Sequence, residues 1–417
     1  MREQTVSDDQ NKFETTHVML RQKALKLLKE TFSPLRSKQI SVTDCSGHIA
    51  AETICSEIDL PEHDRSAMDG FALASIDTLS ASADRPARLR FSGEIRPSAS
   101  APHTAKANCA VRLLTGGIVP HGADAVIPFE DITTNQDFIE ISFPVKKGIF
   151  IRKAGSDIQK GETIVTANTK ISPCQAALLA YAGIRSIPVR KRPSIAVLAV
   201  GNELCDPSQK NECGLIPADN LILLKSLCKN YGVKSVTVSP CENSPEAISA
   251  EITNNSHCDI IITTGGTGPG NRDFVYNSVT KAGGSPLFKG LAMHPAKSIF
   301  ACRLESSIVI GLPGPPNAVN LAFHTVIKPV INILLGLADI SPNSPALLKD
   351  KVKGTKGREK LRPCLITEEN GQIYADPLNF RKLSPRKIMS ISNGIIVLPP
   401  DCGELENGNI VQVIKCS

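Results

Sequence analysis

The sequence predicts a multi-domain protein of the α/β plus β class, with a doubly wound, mostly parallel α/β domain and further β-rich domains. Its 417 residues are too many for one ordinary hydrophobic core. Between residues 193 and 335, apolar strand-like runs alternate with helical patterns, which indicates a parallel sheet covered on both faces. Short β-like runs broken by Gly, Pro, Asn and Asp occupy residues 40–150 and 350–417, which indicates two β-rich regions.

The composition is ordinary for a globular protein, with 41% hydrophobic residues. No apolar run approaches the roughly 20 residues that span a bilayer, and the polar segment Met1–Lys12 lacks the apolar core of a secretory signal. We therefore expect a cytoplasmic protein without a membrane partner. Thirteen cysteines occur without a CxxC pair, which favours reduced thiols over a zinc site. A net charge of +6 with 4% aromatic residues does not favour nucleic-acid binding.

The N-terminal and β-rich regions carry local signals for helices and strands. Residues 13–32 have the apolar spacing of an amphipathic helix, which ends near Ser33-Pro34. Ser172 and Pro173 are predicted to be the N-cap and first position of a short helix, and Gly183 ends it. Short strands are predicted at Ala110–Leu114, Ala125–Pro128 and Phe138–Ser142.

The α/β region is predicted to contain four strands and four helices. The strands are expected at residues 195–200, 233–238, 259–264 and 307–312. The helices are expected at residues 220–230, 245–254, 273–282 and 318–335. Because parallel strands end at one edge of a sheet, we expect a ligand site at that edge. A Pro- and Ser-rich loop at residues 341–346 precedes the last strands, at 361–366, 373–375, 395–398 and 410–414.

A glycine-rich loop follows the third strand of the α/β region. The loop begins after Thr264 and contains Gly265, Gly266, Thr267, Gly268 and Gly270. Glycines let the backbone turn tightly and approach a ligand, and successive N–H groups can form an anion site. Asp273 closes the loop, where it can meet a metal ion or a polar ligand group. The loop lacks the ending of a P-loop, so we predict a phosphate-bearing small molecule; a tight turn without ligand is the alternative.

Two further loops end strands of the same sheet. Glu203 follows the first strand and is a candidate to bind a metal, a hydroxyl or an amine, although it could equally cap the next turn. Pro313 and Gly314 lie in the rigid segment Leu312–Pro316, which either shapes a pocket or is a structural turn.

Other polar residues form smaller candidate groups. Asp69 lies in a carboxylate-rich loop ahead of a strand, and Thr115 lies between two β-like runs. Both segments can also be explained as ordinary solvated loops. Lys289, His294 and Lys297 form a basic set that could bind phosphate or another oxyanion, with plain surface charge as the alternative.

These motifs occur in the order of a known family. The chain resembles the molybdopterin molybdenumtransferases, which include MoeA and the corresponding domain of gephyrin, from about residue 15 to the C-terminus. The matching segments are Ser66–Phe71, Leu114–Gly116, Pro120–Val126, Arg152–Ile158, Gly201–Leu204, the glycine loop and Gly311–Pro316.

The resemblance implies an elongated homodimer of four-domain subunits. The domains would be a linker domain of residues 13–40 and 146–187, an inserted β-rich domain of residues 41–145, a molybdopterin-binding α/β domain of residues 188–338 and a C-terminal β domain of residues 345–417. The active site would lie between the α/β domain of one subunit and the β-rich region of the other. A molybdopterin adenylyltransferase and recipient molybdoenzymes would be candidate protein partners.

The resemblance also implies a reaction, the insertion of molybdate into adenylylated molybdopterin with Mg²⁺ and release of AMP. By motif match, the functional residues would be Asp69, Thr115, Asp157, Glu203 and Asp273. Glu203 and Asp273 would act at the metal and the diphosphate, and Asp69 would reach across the dimer. The cofactor-binding residues would be Gly265, Gly266, Thr267, Gly268, Gly270, Lys289, His294, Lys297, Pro313 and Gly314.

Three departures from the family pattern leave other functions open. His294–Ser298 replaces Lys-Pro-Gly-Lys-Pro, so that a histidine, only partly charged near neutral pH, replaces a lysine. Pro315 replaces an asparagine, which removes an amide side chain and a backbone donor. The glycine loop is closer to that of the related molybdopterin adenylyltransferases. The alternatives are such an adenylyltransferase, a tungstate-using transferase of the same fold, or a non-catalytic molybdopterin carrier or regulator.

Overall fold

The computed structural model describes residues 18–96, 104–135, 137–208, 214–266, 274–337, 343–380 and 382–416. Contacts divide the chain into two units: the inserted unit, Gln39–Val189, and the main unit, which joins the N-terminal residues up to Lys38 to Arg190–Ser417. The four-domain boundaries given above stay a prediction. No helix within the described ranges is long and apolar enough to cross a membrane.

The elements up to Arg190 are mostly short strands, as the frequent Gly and Pro residues predict. In chain order they are α1 (Arg21–Thr31), β1 (Ser37–Ser41), β2 (Ile54–Cys55), β3 (Arg65–Ser66), β4 (Gly70–Leu73), β5 (Ala87–Ile95), β6 (Cys109–Leu113), β7 (Ala125–Pro128), β8 (Thr133–Thr134), β9 (Phe138–Ile141), β10 (Ile151–Arg152), β11 (Thr163–Val165), α2 (Pro173–Tyr181) and β12 (Ser186–Arg190).

A six-stranded mixed sheet, in the order β7-β4-β6-β5-β9-β8, forms the larger part of the inserted unit. Both of its faces are apolar, because Phe71 and Leu73 point into one core while Ala72 points into another. The predicted helix cap is confirmed: the Ser172 hydroxyl accepts from the Gln175 N–H, and the Gln175 side chain accepts from the Ser172 N–H.

The main unit continues with alternating strands and helices, as predicted. The elements are β13 (Ser194–Val200), β14 (Leu204–Cys205), β15 (Ile216–Pro217), α3 (Asp219–Asn230), β16 (Ser235–Cys241), α4 (Pro245–Asn254), β17 (Ile260–Thr264), α5 (Phe274–Lys281), β18 (Ser285–Lys289), β19 (Met293–His294), β20 (Phe300–Leu304), β21 (Ser307–Leu312), α6 (Pro316–Ala322), a π-helical turn (Phe323–Ile327) and α7 (Lys328–Leu334).

The α/β sheet has the strand order β16-β13-β17-β21-β20-β18. The first four strands are parallel, and β20 and β18 extend the sheet antiparallel. The sheet is therefore mostly parallel, as predicted. Helices α4 and α5 supply Ile248 and Val275 to a core that also contains Leu198, Ile261 and Val309 of the sheet.

The C-terminal region is a small β barrel. Its elements are β22 (Ser344–Leu348), β23 (Val352–Lys353), β24 (Glu359–Glu369), β25 (Gln372–Pro377), α8 (Pro385–Ile391), β26 (Gly394–Leu398), β27 (Glu404–Leu405) and β28 (Ile410–Lys415). Strands β24-β25-β22-β28-β26 follow one another, and a further pairing of β24 with β26 closes the ring. The prediction of a loop at residues 341–346 was wrong from Ser344 onwards, because Ala346 and Leu348 are buried in the barrel core.

A buried ion pair joins the first helix to the barrel. Arg21 donates from Nε and Nη2 to the two carboxylate oxygens of Glu359, at 2.6 and 3.0 Å. The Arg21 Nη1 group also lies 3.5 Å from the Thr325 carbonyl oxygen. The two side chains are only 3% and 10% exposed. Such a bidentate pair fixes geometry strongly, and the loss of either partner leaves an uncompensated buried charge.

A buried histidine lies in the π-helical turn. His324 is 2% exposed and contacts the rings of Tyr231 and Phe323 edge-on. Its Nδ1 atom has no hydrogen-bond partner in the described part of the chain. Burial, with a smaller effect of the nearby Lys328 charge, lowers the pKa of His324 to about 4. The folded protein therefore holds this imidazole neutral.

We expect His324 to make folding stability depend on acid. The unfolded chain takes up this proton near the ordinary histidine pKa of 6.5, whereas the folded chain resists it down to about 4. The contribution of the neutral imidazole to the free energy of unfolding is complete above pH 6.5. It is lost as the pH falls to 4, and the whole loss is up to about 3 kcal/mol. Urea unfolding at pH 7.5 and 4.5 measures the loss. His324→Leu should remove it, and His257→Gln, at an exposed histidine, should not; equal losses in both variants would contradict the assignment.

Candidate functional site

The carboxyl ends of β13 and β17 form the topological switch point of the α/β sheet. From β13 the chain moves to β16 on one side and then returns to β17 on the other. Open α/β sheets bind ligands in the crevice at such a point. Gly201 follows β13 and Gly265 follows β17, while Gly314 lies beyond the next strand, β21. The predicted strand-end loops therefore belong to one edge of the sheet.

The glycines at this edge are required by close backbone approach. Gly265 has φ +88°, and a Cβ atom on it would lie 2.4 Å from the Val200 carbonyl oxygen. Gly266 has φ +63°, and its Cβ would lie 2.6 Å from Val275 Cγ2. Both positions therefore exclude any side chain. A Cβ on Gly314 would lie 3.8 Å from the Gly265 Cα atom, so the structure brings these two predicted residues together.

A hydrogen-bond network that sequence reasoning missed connects the two loops. Asn220, at the start of α3, donates from Nδ2 to Thr264 Oγ1 at 2.9 Å and to the Gly314 carbonyl at 2.8 Å. The Thr264 hydroxyl donates to the Pro313 carbonyl at 3.0 Å. The sequence marked Asn220 only as a helix start. Its amide fixes the spacing between the ends of β17 and β21.

Two buried amide oxygens at this edge have no partner in the described ranges. They are the Oδ1 atoms of Asn220 and Asn243. Asn243 Oδ1 lies 3.6 Å from the position that a Cβ on Gly266 would occupy, so it faces the glycine loop. Buried acceptors are nearly always satisfied in folded proteins. A ligand with N–H or O–H donors would satisfy these two acceptors.

The predicted acidic residues of the main unit can be placed only in part. Glu203 is exposed, and its carboxylate lies against Gly201, where a Cβ atom would be 2.8 Å from Glu203 Oε1. Thr267, Gly268, Gly270 and Asp273 lie outside the described residues. Within the described ranges, no three His, Cys, Asp or Glu side chains come together as a metal-binding group.

The residues of the predicted basic set do not share one environment. Lys289 has its ammonium 4.4 Å from the centre of the Tyr276 ring. His294 is exposed and lies in β19, whose pairing with β24 places it opposite Lys360. Partial burial, followed by the charges of Lys360 and Arg358, lowers the pKa of His294. Sequence reasoning missed these two cations, because strand β24 and the residue before it, far along the chain, supply them.

Lys360 also lines a basic cavity of about 270 Å³ in the barrel. Lys353 and Arg362 line the same cavity, and Asp350 is its acidic lining residue. Burial lowers the pKa of Arg362, and its Nε atom has no partner among the described residues. Burial, with the charges of Arg362 and Lys353, lowers the pKa of Lys360 as well. This cavity carries the excess positive charge that an anion would neutralise.

In the inserted unit, the structure brings two predicted residues into direct contact. Asp69 Oδ1 accepts from the Thr115 backbone N–H at 2.6 Å and from the Thr115 hydroxyl at 2.7 Å. These bonds, with a smaller effect of Arg112, lower the pKa of the exposed Asp69 carboxyl. Asp69 is therefore an anion at neutral pH, held in place by the turn that contains Thr115.

The segment Arg152–Ile158, which carries the third predicted residue, Asp157, is joined to the strand before Asp69. Asp157 forms an ion pair with Arg152. Strand β10, which contains Arg152, pairs with β3 through Ile151 and Ser66. The Ser66 backbone N–H also donates to the Gly117 carbonyl at 2.8 Å. The segments that carry Asp69, Thr115 and Asp157 are thus held together by backbone hydrogen bonds; their catalytic roles stay predictions.

Comparison with known proteins matches almost the whole chain in three consecutive parts. Residues 19–183 match the MoeA N-terminal region (domain I and II). Residues 196–332 match the family described as "Probable molybdopterin binding domain". Residues 345–416 match the MoeA C-terminal region (domain IV).

Relatives of full length show the same similarity. A molybdopterin molybdenumtransferase of Bacillus subtilis is 29% identical over 384 residues, covering 90% of this chain and 89% of the relative. The enzyme of the same name from Haemophilus influenzae is 29% identical over 400 residues, covering 93% and 96%. A crystal structure of the molybdopterin biosynthesis MoeA protein from Pyrococcus horikoshii has a TM-score of 0.84 at 27% identity, covering 96% of this chain and 99% of that one.

Ala296 replaces the glycine of the family pattern Lys-Pro-Gly-Lys-Pro, and the backbone at this position is strained. Ala296 has φ +76°, a left-handed conformation that disfavours residues other than glycine. We therefore expect Ala296→Gly to raise the free energy of unfolding by about 0.5–1 kcal/mol. Urea unfolding measures the change. The control is Ala250→Gly in helix α4, which should lower it by about 1 kcal/mol; a similar loss in both variants would show that Ala296 is not strained.

Proposed function

We propose that this chain, which belongs to the MoeA family of molybdopterin molybdenumtransferases, inserts molybdate into adenylylated molybdopterin and releases AMP. The family acts in molybdenum cofactor biosynthesis, and curated relatives over nine-tenths of the chain carry this transferase name. The observation that carries the proposal is the strand-end cradle formed by Gly265, Gly266 and Gly314, together with the Asn220 and Asn243 oxygens that lack partners among the described residues.

The cradle suits the pterin end of the substrate. Gly265 and Gly266, both with positive φ, turn the backbone at the start of the loop, and the N–H groups that follow would bind the phosphate. A pterin ring carries amino and ring N–H donors, which would pair with the Asn220 and Asn243 oxygens, both without partners in the ranges that the structure describes. We assign the glycine loop, with Pro313 and Gly314, to molybdopterin binding.

A divalent cation would be held at the same edge. Carboxylate oxygen is the ligand type that Mg²⁺ prefers, and Glu203 offers an exposed carboxylate directly after β13. We assign Glu203 and Asp273 as the protein ligands of Mg²⁺. When bound, the cation neutralises charge on the substrate diphosphate. Glu203 and Asp273 would position that diphosphate beside the cradle.

Molybdate would bind among the cations near β19. His294 alone is a weak substitute for a lysine, because its lowered pKa keeps it neutral near pH 7. Lys360, opposite His294, supplies a charge from the barrel, and Lys297 follows in the same loop as His294. A neutral imidazole can still donate one hydrogen bond to an oxo ligand. The cationic environment therefore supports an oxyanion site despite the substitution.

The proposed reaction balances with water as the only co-reactant. Water cleaves the phosphoanhydride, giving the pterin phosphate and AMP. The two dithiolene sulfurs form bonds to molybdenum, and each displaced oxo ligand takes up two protons and leaves as water. The residues assigned above bind and orient the substrates. Molybdenum enters as a substrate and keeps its oxidation state, so no electron donor is required.

We further propose a cytoplasmic homodimer in which Asp69, Thr115 and Asp157 act with the strand-end site of the other subunit. The lowered pKa of Asp69 keeps its carboxylate ionised for this role. Protein partners would be a molybdopterin adenylyltransferase, which supplies the substrate, and recipient molybdoenzymes, which take up the product.

The first test is molybdate-dependent release of AMP from adenylylated molybdopterin and Mg²⁺, measured by chromatography. Asp273→Ala should reduce the rate by on the order of 100-fold, because one ligand of the cation is lost. Light scattering should show an unchanged mass. The control is Asp376→Ala, at an exposed carboxylate of the barrel. Full activity of Asp273→Ala would remove its assignment.

The same assay separates the alternatives. Formation of adenylylated product from ATP and free molybdopterin would favour an adenylyltransferase. Pterin binding without turnover would favour a carrier. Faster turnover with tungstate than with molybdate would change the substrate but keep the chemistry. Each of these outcomes contradicts the proposed reaction in a different step.

The histidine substitution predicts a pH-dependent affinity for molybdate. Protonation of His294 adds a positive charge, so the KM for molybdate should fall as the pH is lowered below 6.5, the ordinary pKa of the group. His294→Lys should lower the KM at pH 7.5 by about 3- to 10-fold and weaken the pH dependence. The control is His257→Lys, which lies outside β19. An unchanged KM and pH profile in His294→Lys would contradict the assignment.

A further inference from the structure

The basic cavity of the C-terminal barrel is not used by the proposed function beyond Lys360. Its volume of about 270 Å³ lies just below the roughly 300 Å³ at which small-molecule sites begin. Lys353 and Arg362 also belong to its cationic lining, and the buried Val352 and Leu398 are apolar residues of its wall. Space, positive charge and an apolar wall thus occur together, which is the combination that suits a small organic anion.

Two of these cations face the interior of the barrel. Along β24, Lys360, Arg362 and Cys364 are two residues apart, so their side chains lie on one face of the sheet. Cys364 is fully buried in the barrel core. Leu398, directly opposite Lys360, belongs to the same core and is the last residue of β26. The cations therefore lie at one end of the barrel interior, and the mouths of barrels are common ligand sites.

The two inward-facing cations can donate further hydrogen bonds. The Lys360 ammonium donates to the Lys353 carbonyl at 2.5 Å, and because an ammonium has three N–H donors, two are left for a ligand. The Arg362 Cζ atom lies over the Phe380 ring, 5.0 Å from its centre. A ring on that face accepts none of the in-plane N–H bonds of the guanidinium, and the buried Nε atom has no partner within the described ranges. An anion with several oxygens would satisfy these donors.

The lining of the cavity carries more positive than negative charge. Its fourth cation is Lys351, whose ammonium lies 3.6 Å from the Glu404 carboxylate, and Asp350 is its acidic residue. These two carboxylates offset part of the positive charge, so that roughly two charges remain. Burial lowers the pKa of Lys360 and of Arg362, since water solvates their charges poorly here. A phosphate group, with a charge of about −1.5 to −2 at pH 7, would neutralise the excess.

We propose that the basic cavity binds a compact phosphate monoester, with the phosphate group at Lys360 and Arg362. The planar guanidinium fork and the ammonium group match the several oxygens of a phosphate. The organic part of the ester would lie against Val352 and Leu398. A bare oxyanion would fill only part of the volume and leave the apolar wall uncovered, which favours an ester over free inorganic phosphate. All residues of this lining belong to the main unit, and the site does not depend on the transferase reaction.

The absence of tryptophan from the sequence allows a fluorescent reporter beside Arg362. Phe380→Trp in the full-length protein places a single indole next to the guanidinium. Glycerol 3-phosphate should change its emission, because the phosphate neutralises the cation beside the ring. Glycerol should have no effect, and inorganic phosphate should act only at higher concentrations. The matched control is Tyr374→Trp: the Lys349 ammonium also lies 5.0 Å from that ring, but neither residue lines the cavity, so this indole should not respond.

Calorimetric titration with glycerol 3-phosphate measures the affinity without a reporter. Arg362→Gln should weaken binding by about 10-fold, and Lys353→Gln by about 3-fold. Lys353 is exposed, so this second variant tests the cavity without disturbing the barrel core. The matched control is Lys349→Gln, which removes another cation that lies over a ring and should change the affinity by less than about 2-fold. Lys360 is left unaltered, because it also lies opposite His294.

The possible outcomes separate this proposal from the proposed function. Binding that leaves the Phe380→Trp emission unchanged and is not weakened in Arg362→Gln or Lys353→Gln would place the phosphate elsewhere, such as the glycine loop, and would overturn the proposal. No binding at millimolar concentration, or equal or tighter binding of inorganic phosphate or molybdate, would overturn it too. A response of Phe380→Trp with weaker binding in both glutamine variants would support it, whether or not the protein releases AMP.

Discussion

The close approach of three parallel strand ends is the constraint on which the candidate site depends. The Gly265 backbone lies so near the Val200 carbonyl that even a methyl group would collide. Thr264, Asn220 and Gly314 then form a hydrogen-bonded contact between the ends of β17 and β21. Because the crowded backbone leaves no room for side chains, the edge presents bare main chain and two amide oxygens that lack partners among the described residues. A side chain introduced at Gly265 or Gly266 would therefore displace the strand ends that shape the candidate site.

The periodic parts of the fold could be predicted, and the parts that depend on distant pairing could not. The apolar run Ile195–Val200 and the Ser172-Pro173 cap carry their structure in local sequence, and both are present. Strand β22 was missed because Ser344 and Pro345 are typical of a loop, whereas pairing with β28 and burial of Ala346 hold it extended. The glycines and Glu203 could be found from motifs. Lys360 could not, since only the pairing of β19 with β24 places it opposite His294.

The candidate residues divide between the two units by their chemistry. The main unit supplies bare backbone at Gly265 and Gly266 and cations such as Lys360, which suit phosphate and oxyanion binding. The inserted unit supplies an ionised Asp69, which Thr115 holds in place. The proposed reaction would use groups of both kinds, phosphate-binding backbone and an ionised carboxylate.

The Arg21–Glu359 ion pair has a consequence for how the chain is made. Its partners are separated by 338 positions. At a ribosomal rate of about 5 to 20 residues per second, the first helix waits roughly 20 to 70 s before its carboxylate partner has been synthesised. During that interval Arg21 has no carboxylate to neutralise it, although helix α7, which packs against the first helix, has already been synthesised. A chain that ends before Glu359 would therefore keep this guanidinium without its partner, and the first helix would lose the bidentate pair that ties it to the barrel.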